Sequence, residues 1–542
     1  MKRKTLITAA LPYANGELHI GHIAGNILPA DIYARYKRKK GEEVIFICGS
    51  DEHGVPISIS ARKKGVSPQE IIDEYHNINK KSLERLGMSF DIFSRTSSPL
   101  HKECASDFFM TLYKKGELIE KETEQYYDEK EKQFLADRYI RGECPKCGYS
   151  DAYGDQCEKC GITLAPNELI NPRSFLSGEK PVKKKTKHWY LPLSKYQEWV
   201  EKWITEEHSD WKDNVYEQCK SWLKEGLQDR AITRDLDWGV PVPIDNTEGK
   251  VLYVWFDAPI GYISFTKELL GEKYKDWWGE NTNTRLIHFL GKDNIVFHCI
   301  IFPIMLKAHG GFILPDVVCG NEFMNLEGQK ISKSREHAIW IKDFLEKHPD
   351  KQDVLRYVLC ANMPENKDSN FTWEDFISRN NNELVATLGN FVNRSISMLE
   401  QYFNGEMDEI VSSKNEDIKA LEDVNNAIRD IEMNIEKFSF KDALKGVMDI
   451  AKIGNKYIDD TKPWKEVKID ENRTKEILNT CIQIIAKLGI VSEPFLPFTA
   501  EKIKNMLELK DTSWEHSFEN NIVVRKKILK KSLLFEKINY QT

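Results

Sequence analysis

The N-terminal part of the chain alternates short apolar segments with segments of helical pattern, and this alternation limits the fold more than any other feature. Residues 5–9 and 43–48 have the composition of buried strands, and residues 21–40 between them have a helical pattern. Ser67 and Ser98 each precede a proline, as a cap residue precedes the first helical position. Strands that alternate with helices form a parallel sheet, so we expect an α/β fold with a Rossmann-type sheet.

The pattern changes twice further along the chain. Residues 117–228 are rich in tyrosine, cysteine and glycine, and the strand-like apolar segments resume at 251–256 and 286–290. Long helical periods follow, for example over 382–401 and 418–438, and they predict an all-α bundle. The expected units are a split Rossmann-type domain (1–116 and 229–327), a connective insert (117–228), a connecting segment (328–380) and a helical domain (381–542).

Composition narrows the class of protein. The chain has 542 residues, of which 41% are hydrophobic, and a net charge of −7, so any nucleic acid must be held by local basic side chains. The run Lys183–Lys185 is interpreted as a solvated loop. No segment reaches the roughly 18 apolar residues of a membrane-spanning helix, and the N-terminus is interpreted as a strand, not as a signal peptide. With only 11 cysteines, a disulfide scaffold is excluded, and we expect a cytoplasmic protein with no membrane partner.

Four of the cysteines form two Cys-x-x-Cys pairs in the insert. Cys144 and Cys147 are followed, after nine residues, by Cys157 and Cys160. Four thiolates at this spacing suit a tetrahedral zinc ion with no open coordination position. A redox function is the alternative, but redox motifs do not occur as two such pairs. The sequence therefore predicts one structural zinc ion.

Two short segments have the chemistry of a phosphate-binding site. His19 and His22 lie where the first strand passes into the first helix, so both imidazoles are expected on one face, with Gly21 placing no side chain between them. Lys330 and Lys333, far along the chain, could clamp a polyphosphate as point charges. Each segment alone is more typical of an ordinary surface, whereas the two together favour a nucleotide site.

These segments also carry a resemblance to a known family. Residues 19–22 match the HIGH signature of the class I aminoacyl-tRNA synthetases, and residues 330–334 differ from their KMSKS signature by one residue, Ile331. Segments 10–16, 48–54, 254–262 and 291–298 are similar to the substrate-binding segments of the methionyl-tRNA synthetase family. The resemblance extends over nearly the whole chain.

The resemblance implies that the chain activates L-methionine with ATP, accompanied by Mg²⁺, and transfers it to the 3′ end of tRNA(Met). The implied catalytic residues are His19, His22, Lys330 and Lys333. The residues implied in ATP binding are Gly21, Gly291, Asp293, Ser332 and Lys333. The implied methionine site consists of Ala10, Leu11, Tyr13, Asp51, Trp255, Ala258, Pro259, Tyr262 and His298, of which Asp51 takes the α-amino group.

The resemblance also assigns the helical domain to the anticodon of the tRNA. Asn390 and Arg394 lie four residues apart on one helix, and Trp464 follows Pro463 in an expected loop. An indole can stack on an unpaired base while the other two side chains read its edges. Because no appended domain follows this segment, we expect a monomer.

Three other functions share part of the pattern. A class I synthetase for leucine, isoleucine or valine would need a larger editing insertion than residues 117–228 allow. A nucleotidylyltransferase shares the His-x-Gly-His loop but needs no long helical C-terminal part. An RNA-binding protein with a degenerate synthetase fold would not need both intact signatures. Amino-acid-dependent ATP–pyrophosphate exchange distinguishes these functions.

Overall fold

The computed structural model describes residues 3–154, 157, 159–160, 164, 166–332, 336–407, 414–524, 526–528 and 532–539. Its N-terminal part is built on a five-stranded parallel sheet with the order β5-β4-β1-β2-β3. The strands are β1 (Lys4–Ala9), β2 (Glu43–Ser50), β3 (Ile92–Arg95), β4 (Thr284–Gly291) and β5 (Val317–Asn321). The expected Rossmann-type sheet is therefore confirmed.

The sheet is buried on both faces, because successive residues of its strands point into different hydrophobic cores. Leu6 of β1 packs in one core with Leu286 of β4, whereas the next residue, Ile7, packs in the other core with Ile287. The core around Ile7 continues into the C-terminal helices. The helical C-terminal part therefore packs directly on the helices that cover the sheet.

The first helix runs through three consecutive segments, Ile20–His22, a π turn at Ile23–Ile27, and Leu28–Lys39. Ser67 and Ser98 cap the helices Pro68–Arg85 and Pro99–Lys114, as the sequence predicts. The other helices of eight or more residues before residue 373 are Val55–Lys64, Asp213–Glu225, Val254–Leu270, Phe302–His309 and Gln352–Ala361, with shorter ones at Gln197–Lys202, Lys275–Trp278 and Ile341–Lys347.

The expected strand over residues 251–256 is wrong in its second half. Lys250–Leu252 is a strand, but it pairs antiparallel with Thr233–Asp235 outside the central sheet. From Val254 onward the chain is helical, as Val254–Leu270, and this helix is buried along most of its length. An unbroken apolar run has no period that separates a buried strand from a buried helix, which explains the error.

The connective insert contains two small antiparallel sheets as well as the helices Gln197–Lys202 and Asp213–Glu225. One contains Ile119–Asp128, Gln133–Phe134, Val182–Leu191 and Arg230–Ala231, and the other Ile140–Glu143, Ala152–Tyr153 and Ile170–Ser174. The run Lys183–Lys185 belongs to a strand, so the expected loop is wrong. Its three lysines lie opposite Tyr126, Gln125 and Glu124 of the neighbouring strand, and Lys185 Nζ lies 2.9 Å from Glu122 Oε1. Cross-strand pairing of opposite charges stabilises this regular structure.

In the described residues of the C-terminal part, the regular structure is helical apart from one two-stranded pairing, Glu406–Met407 with Lys526–Lys527, and the expected bundle is confirmed. A three-stranded sheet of Met324–Leu326, Gln329–Lys330 and Ser369–Phe371 precedes it. The bundle helices are Trp373–Arg379, the π segment Asn380–Gly389, Asn390–Phe403, Asn415–Glu436, Phe440–Thr461, Pro463–Glu466, Glu471–Val491 and Pro497–Leu507. Among the described residues, none of the helices combines the length and apolar character needed to cross a membrane.

Candidate functional site

A cavity of about 350 Å³ opens at the carboxyl ends of β1, β2 and β4. The strand order reverses between β1 and β4, and this is where ligands bind in open α/β sheets. The sequence-predicted residues that line the cavity are Ala10, Leu11, Tyr13, His19, Gly21, His22, Asp51, Trp255, Ala258, Pro259, Tyr262, Gly291, Asp293, His298 and Lys330. Ser332 is one residue beyond the lining residue Ile331, and Lys333 lies outside the described residues.

His19 and His22 cap the first helix, and the caps determine which ring nitrogens carry protons. The Gly21 amide donates to His19 Nδ1 at 3.2 Å, and the His19 amide donates to His22 Nδ1 at 3.1 Å. Since each Nδ1 accepts, the ring proton lies on Nε2 in both residues. The rings lie together, with 3.8 Å between their centroids. The pair thus combines two N–H donors with the positive end of a helix dipole.

The predicted lysine segment lies beside these histidines. Lys330 pairs with Asn325 in the antiparallel hairpin of Met324–Leu326 and Gln329–Lys330. A Cβ atom at Gly21 would lie 3.3 Å from Ile331 Cδ1, so the two signatures are in near contact. The chain after the hairpin fixes this arrangement, since the Ile20 amide donates to the Ile339 carbonyl at 3.1 Å.

An apolar, aromatic compartment forms one end of the cavity. Asn294 O accepts from His298 Nδ1 at 3.0 Å, so His298 Nε2 is unprotonated and accepts from the Tyr262 hydroxyl at 2.8 Å. Burial lowers the pKa of His298 to about 4, which keeps this imidazole neutral. Trp255 Nε1 donates to the Tyr13 hydroxyl at 2.6 Å, so both aromatic side chains are fixed.

The acidic residue at this end is Asp51, which immediately follows β2. Its main chain is held by the Pro12 carbonyl at 2.9 Å and by the Ala14 amide at 2.8 Å. Burial raises the pKa of Asp51 well above its ordinary value, and the negative charge of Asp257 raises it further. A buried carboxylate in this setting is stabilised by a cation, so an ammonium group is the complementary ligand.

Gly291 ends β4 and Asp293 follows it, at the other end of the cavity. A Cβ atom at Gly291 would lie 2.8 Å from Asp293 Oδ1, so only glycine leaves this carboxylate in place. Burial raises the pKa of Asp293. A carboxylate at the end of a strand can accept hydrogen bonds from the hydroxyl groups of a ribose.

Several lining residues are not among the predicted ones: Gly25, Asn26, Asn294, Phe297, Glu322, Phe323 and Met324. Asn26 fixes the start of the cavity, because its side chain donates to the Ala10 carbonyl at 2.7 Å and accepts from the Ala10 amide at 3.1 Å. The sequence does offer one signal for Asn26, because it is a polar residue among apolar residues one helical turn after His22. Glu322 accepts from Lys292 at 2.6 Å, a contact between positions 30 residues apart that no local pattern reveals.

The four predicted cysteines meet at one point of the insert. Their sulfur atoms all lie within 4.8 Å of one another, with Cys144 to Cys160 at 3.8 Å and Cys147 to Cys157 at 3.6 Å. Ligands about 2.3 Å from a tetrahedral metal are separated by about 3.8 Å. This group can therefore hold a metal ion with four sulfur ligands.

Asn390, Arg394 and Trp464 lie on one surface of the helical part. Arg394 donates to Asp459 at 2.7 Å, and its guanidinium carbon lies 5.7 Å from the centre of a Trp464 ring. Trp464 is 36% exposed and belongs to the short helix Pro463–Glu466, so the expected loop is wrong at this position. Asp459 and Asn455 were not predicted, although they repeat the four-residue spacing of their partners.

Comparisons with known proteins agree over the whole chain. A family model described as tRNA synthetases class I (M) matches residues 5–396, and one described as the anticodon binding domain of methionyl tRNA ligase matches residues 409–541. A methionine--tRNA ligase of Bacteroides fragilis (strain YCH46) is 57% identical over 541 residues, which are 100% of this chain and 80% of the relative. One from Parabacteroides distasonis is 57% identical over 537 residues, 99% of this chain and 79% of the relative.

A solved structure is also similar. Mycobacterium tuberculosis methionyl-tRNA synthetase in complex with methionyl-adenylate has a TM-score of 0.82 and 22% sequence identity. The match covers 99% of this chain and 100% of that chain, and at this identity it supports the fold.

Proposed function

From the premise that the chain belongs to the methionine–tRNA ligase family of class I tRNA synthetases, we propose that the cavity above β1 and β4 is its active site. The reaction is the ATP-dependent attachment of methionine to tRNA. The observation that carries the assignment is that His19, His22 and Lys330 line the same cavity as Asp51 and the aromatic compartment. A nucleotide and an amino acid bound there would be adjacent.

The amino acid binds at the Asp51 end of the cavity. The buried carboxylate of Asp51 takes the α-ammonium group, and the side chain enters the compartment formed by Trp255, Tyr262 and His298. A thioether is apolar, polarizable and a weak acceptor, so contact with aromatic rings suits it. The neutral state of His298 avoids placing a charge beside this apolar group.

The phosphates bind where the first helix begins. The methionine carboxylate attacks the α-phosphorus of ATP, and pyrophosphate leaves. His19 and His22 donate from Nε2 to phosphate oxygens, while Lys330 and Lys333 balance the charge that develops. Mg²⁺ enters with ATP as part of that substrate. The hydroxyl of the 3′-terminal adenosine of the tRNA then attacks the methionyl carbonyl of the adenylate, and AMP leaves.

The four-cysteine group fits zinc. The sulfur separations of 3.6 and 3.8 Å match a tetrahedron of thiolates, and four protein ligands leave no position for a substrate. The ion would fix the fold of the insert and would take no part in the reaction. Cys144, Cys147, Cys157 and Cys160 are the proposed ligands.

The helical surface of Asn390, Arg394 and Trp464 is the proposed anticodon site of tRNA(Met). The partly exposed indole offers a stacking surface, and the guanidinium beside it is held by Asp459. Stacking and edge contacts are how proteins read unpaired RNA bases. The monomeric state and the cytoplasmic location stay predictions, which sedimentation and cell fractionation would test.

The test of the proposed active site is ATP–pyrophosphate exchange measured with each of the twenty amino acids. We expect exchange with methionine alone, and its loss by a factor of about 100 or more in Lys330→Ala, since a charge that stabilises the transition state is removed. Exchange that prefers leucine, isoleucine or valine would support another class I specificity. Transfer of AMP to a small molecule without any amino acid would support a nucleotidylyltransferase.

A further inference from the structure

His53 and Asp257 form a buried pair behind the amino-acid end of the cavity, and neither residue lines it. His53 Nδ1 lies 2.6 Å from Asp257 Oδ2, and both side chains are almost completely buried. His53 is two residues after Asp51, whereas Asp257 lies between Trp255 and Ala258 on the helix Val254–Leu270. The pair therefore joins the loop that carries the acidic residue to the helix that carries the side-chain compartment.

The other residues of this loop are held by different parts of the protein. The carboxylate of Glu52 accepts from Arg95 Nε at 2.8 Å, at the end of β3. The Glu52 carbonyl accepts from Trp238 Nε1 at 2.7 Å. Thus Asp51 faces the cavity, Glu52 anchors the loop to the sheet, and His53 anchors it to the helix.

The helix also approaches the sheet without intervening side chains. Gly54 has a φ of +88°, and a Cβ atom there would lie 3.2 Å from Val254 Cβ. A Cβ atom at Gly49 would lie 2.5 Å from the ring of Phe265, and one at Gly261 would lie 3.1 Å from Leu11 Cδ1. Because these contacts are already close, the helix cannot move toward the loop, and the His53–Asp257 hydrogen bond opposes movement away from it.

We propose that His53 and Asp257 are positioning residues that set the distance between the ammonium site and the side-chain compartment, and thereby the length of side chain that is activated. The proposal rests on the proposed function, in which Asp51 binds the α-ammonium group. An amino acid that is held at its ammonium group and at the far end of its side chain must span a fixed distance. A side chain with one methylene more or one fewer then loses contact at one of the two ends.

The test compares methionine with S-methylcysteine, which is one methylene shorter, and with ethionine, which is one methylene longer. ATP–pyrophosphate exchange gives kcat and KM for each amino acid and for ATP in the full chain. In Asp257→Ala we expect KM for methionine to rise about tenfold and the preference for methionine over both analogues to fall about tenfold, with KM for ATP unchanged. Asp257→Asn keeps an acceptor for His53 and is expected to restore most of the preference.

Ser264→Ala is the matched control. Ser264 lies on the same helix, is 1% exposed, and its hydroxyl lies 2.9 Å from His101 Nδ1, so this variant also removes a buried hydrogen bond to an imidazole. It is expected to leave the preference among the three amino acids unchanged. Because loss of the Asp257 carboxyl could prevent folding, His53→Ala is measured in parallel, and thermal unfolding is recorded for each variant.

Two results would overturn the positioning role. One is a loss of kcat/KM in Asp257→Ala and His53→Ala that is equal for all three amino acids, because this is what a purely structural pair produces. The other is an Asp257→Asn variant that is no better than Asp257→Ala. If the wild-type chain shows no methionine-dependent exchange, the proposed function itself fails, which distinguishes the two failures.

Discussion

Asp31 is the buried charge whose loss we expect to destabilise the protein most clearly. Its carboxylate accepts from Arg356 Nη2 at 2.7 Å, from Arg35 Nε at 3.0 Å and from the Ser89 amide at 2.7 Å. The side chains of Asp31 and Arg356 are both 0% exposed. Arg356 also donates to the Phe495 carbonyl at 2.9 Å, so the pair links the first helix to the helical C-terminal part.

The expected loss of folding stability when the charge of Asp31 is removed follows from two independent arguments. Removing one member of a buried ion pair leaves the other charge uncompensated, at a cost of about 3–5 kcal/mol. Although burial raises the pKa of Asp31, the charges of Arg35 and Arg356 more than offset this effect and lower it from 3.8 to about 2. At about 1.4 kcal/mol per pH unit, this difference corresponds to about 2–3 kcal/mol for ionisation alone. The larger figure includes the cost of the unpaired guanidinium.

The sign of the pH dependence is fixed by the same values. The folded-state pKa of Asp31 is below the unfolded value, so its contribution to stability is fully present above about pH 4 and is lost as the pH falls toward about 2. At pH 7 the whole effect is measurable. Asp31→Asn should therefore lower the midpoint of urea unfolding at pH 7, and the difference from the wild type should diminish toward pH 2.

The assay follows urea unfolding by tryptophan fluorescence and compares midpoints, because a chain of several domains need not unfold in two states. Asp31→Leu, Arg356→Met and the double variant that combines these two substitutions form a cycle. We expect the double variant to be more stable than either single variant, because no buried charge is left unpaired. Glu131→Gln, which breaks the exposed Arg62–Glu131 pair, is the control and should cost less than about 1 kcal/mol. Additive losses in the cycle would refute the reasoning.

Three further predictions concern the proposed sites. Lys333→Ala should bind methionine with nearly unchanged affinity while ATP–pyrophosphate exchange slows by about 100-fold or more, and normal exchange in this variant would contradict its role. Trp464→Ala should reduce the rate of tRNA charging by about 10–100-fold through lost stacking and spare the exchange reaction, and equal losses in both assays would exclude the anticodon assignment. Cys147→Ser should lower the bound zinc measured by atomic absorption and the thermal midpoint together, whereas an unchanged zinc content would exclude the proposed ligand set.

The features that the sequence predicts correctly depend on residues close to one another along the chain. His19 and His22 lie three positions apart, and their shared helix turn follows from that spacing. Likewise, Cys144 and Cys147, and Cys157 and Cys160, are close along the chain, and this spacing brings each pair into the four-cysteine group. The His53–Asp257 contact spans 204 positions, and Asp257 directly follows the segment 251–256 that is predicted as a strand, whereas the helix Val254–Leu270 places it behind Asp51. Contacts of this kind follow from the tertiary packing of the helix and have no local signature.

The sequence does not show which basic side chains are available to a partner, because many lysines bind carboxylates of the same chain. The last turn of the first helix is basic, which by itself indicates only a favourable interaction with the helix dipole. In the structure, Lys37 and Lys40 contact Glu436 and Glu432 of the helical C-terminal part at 2.6 and 2.8 Å. Lys185 and Lys187 of the insert strand are paired with glutamates in the same way. A basic cluster in this sequence is therefore not by itself a sign of an RNA surface. The proposed anticodon site depends instead on a few partly exposed side chains, and the first helix runs from the proposed active-site cavity to contacts with that same C-terminal domain.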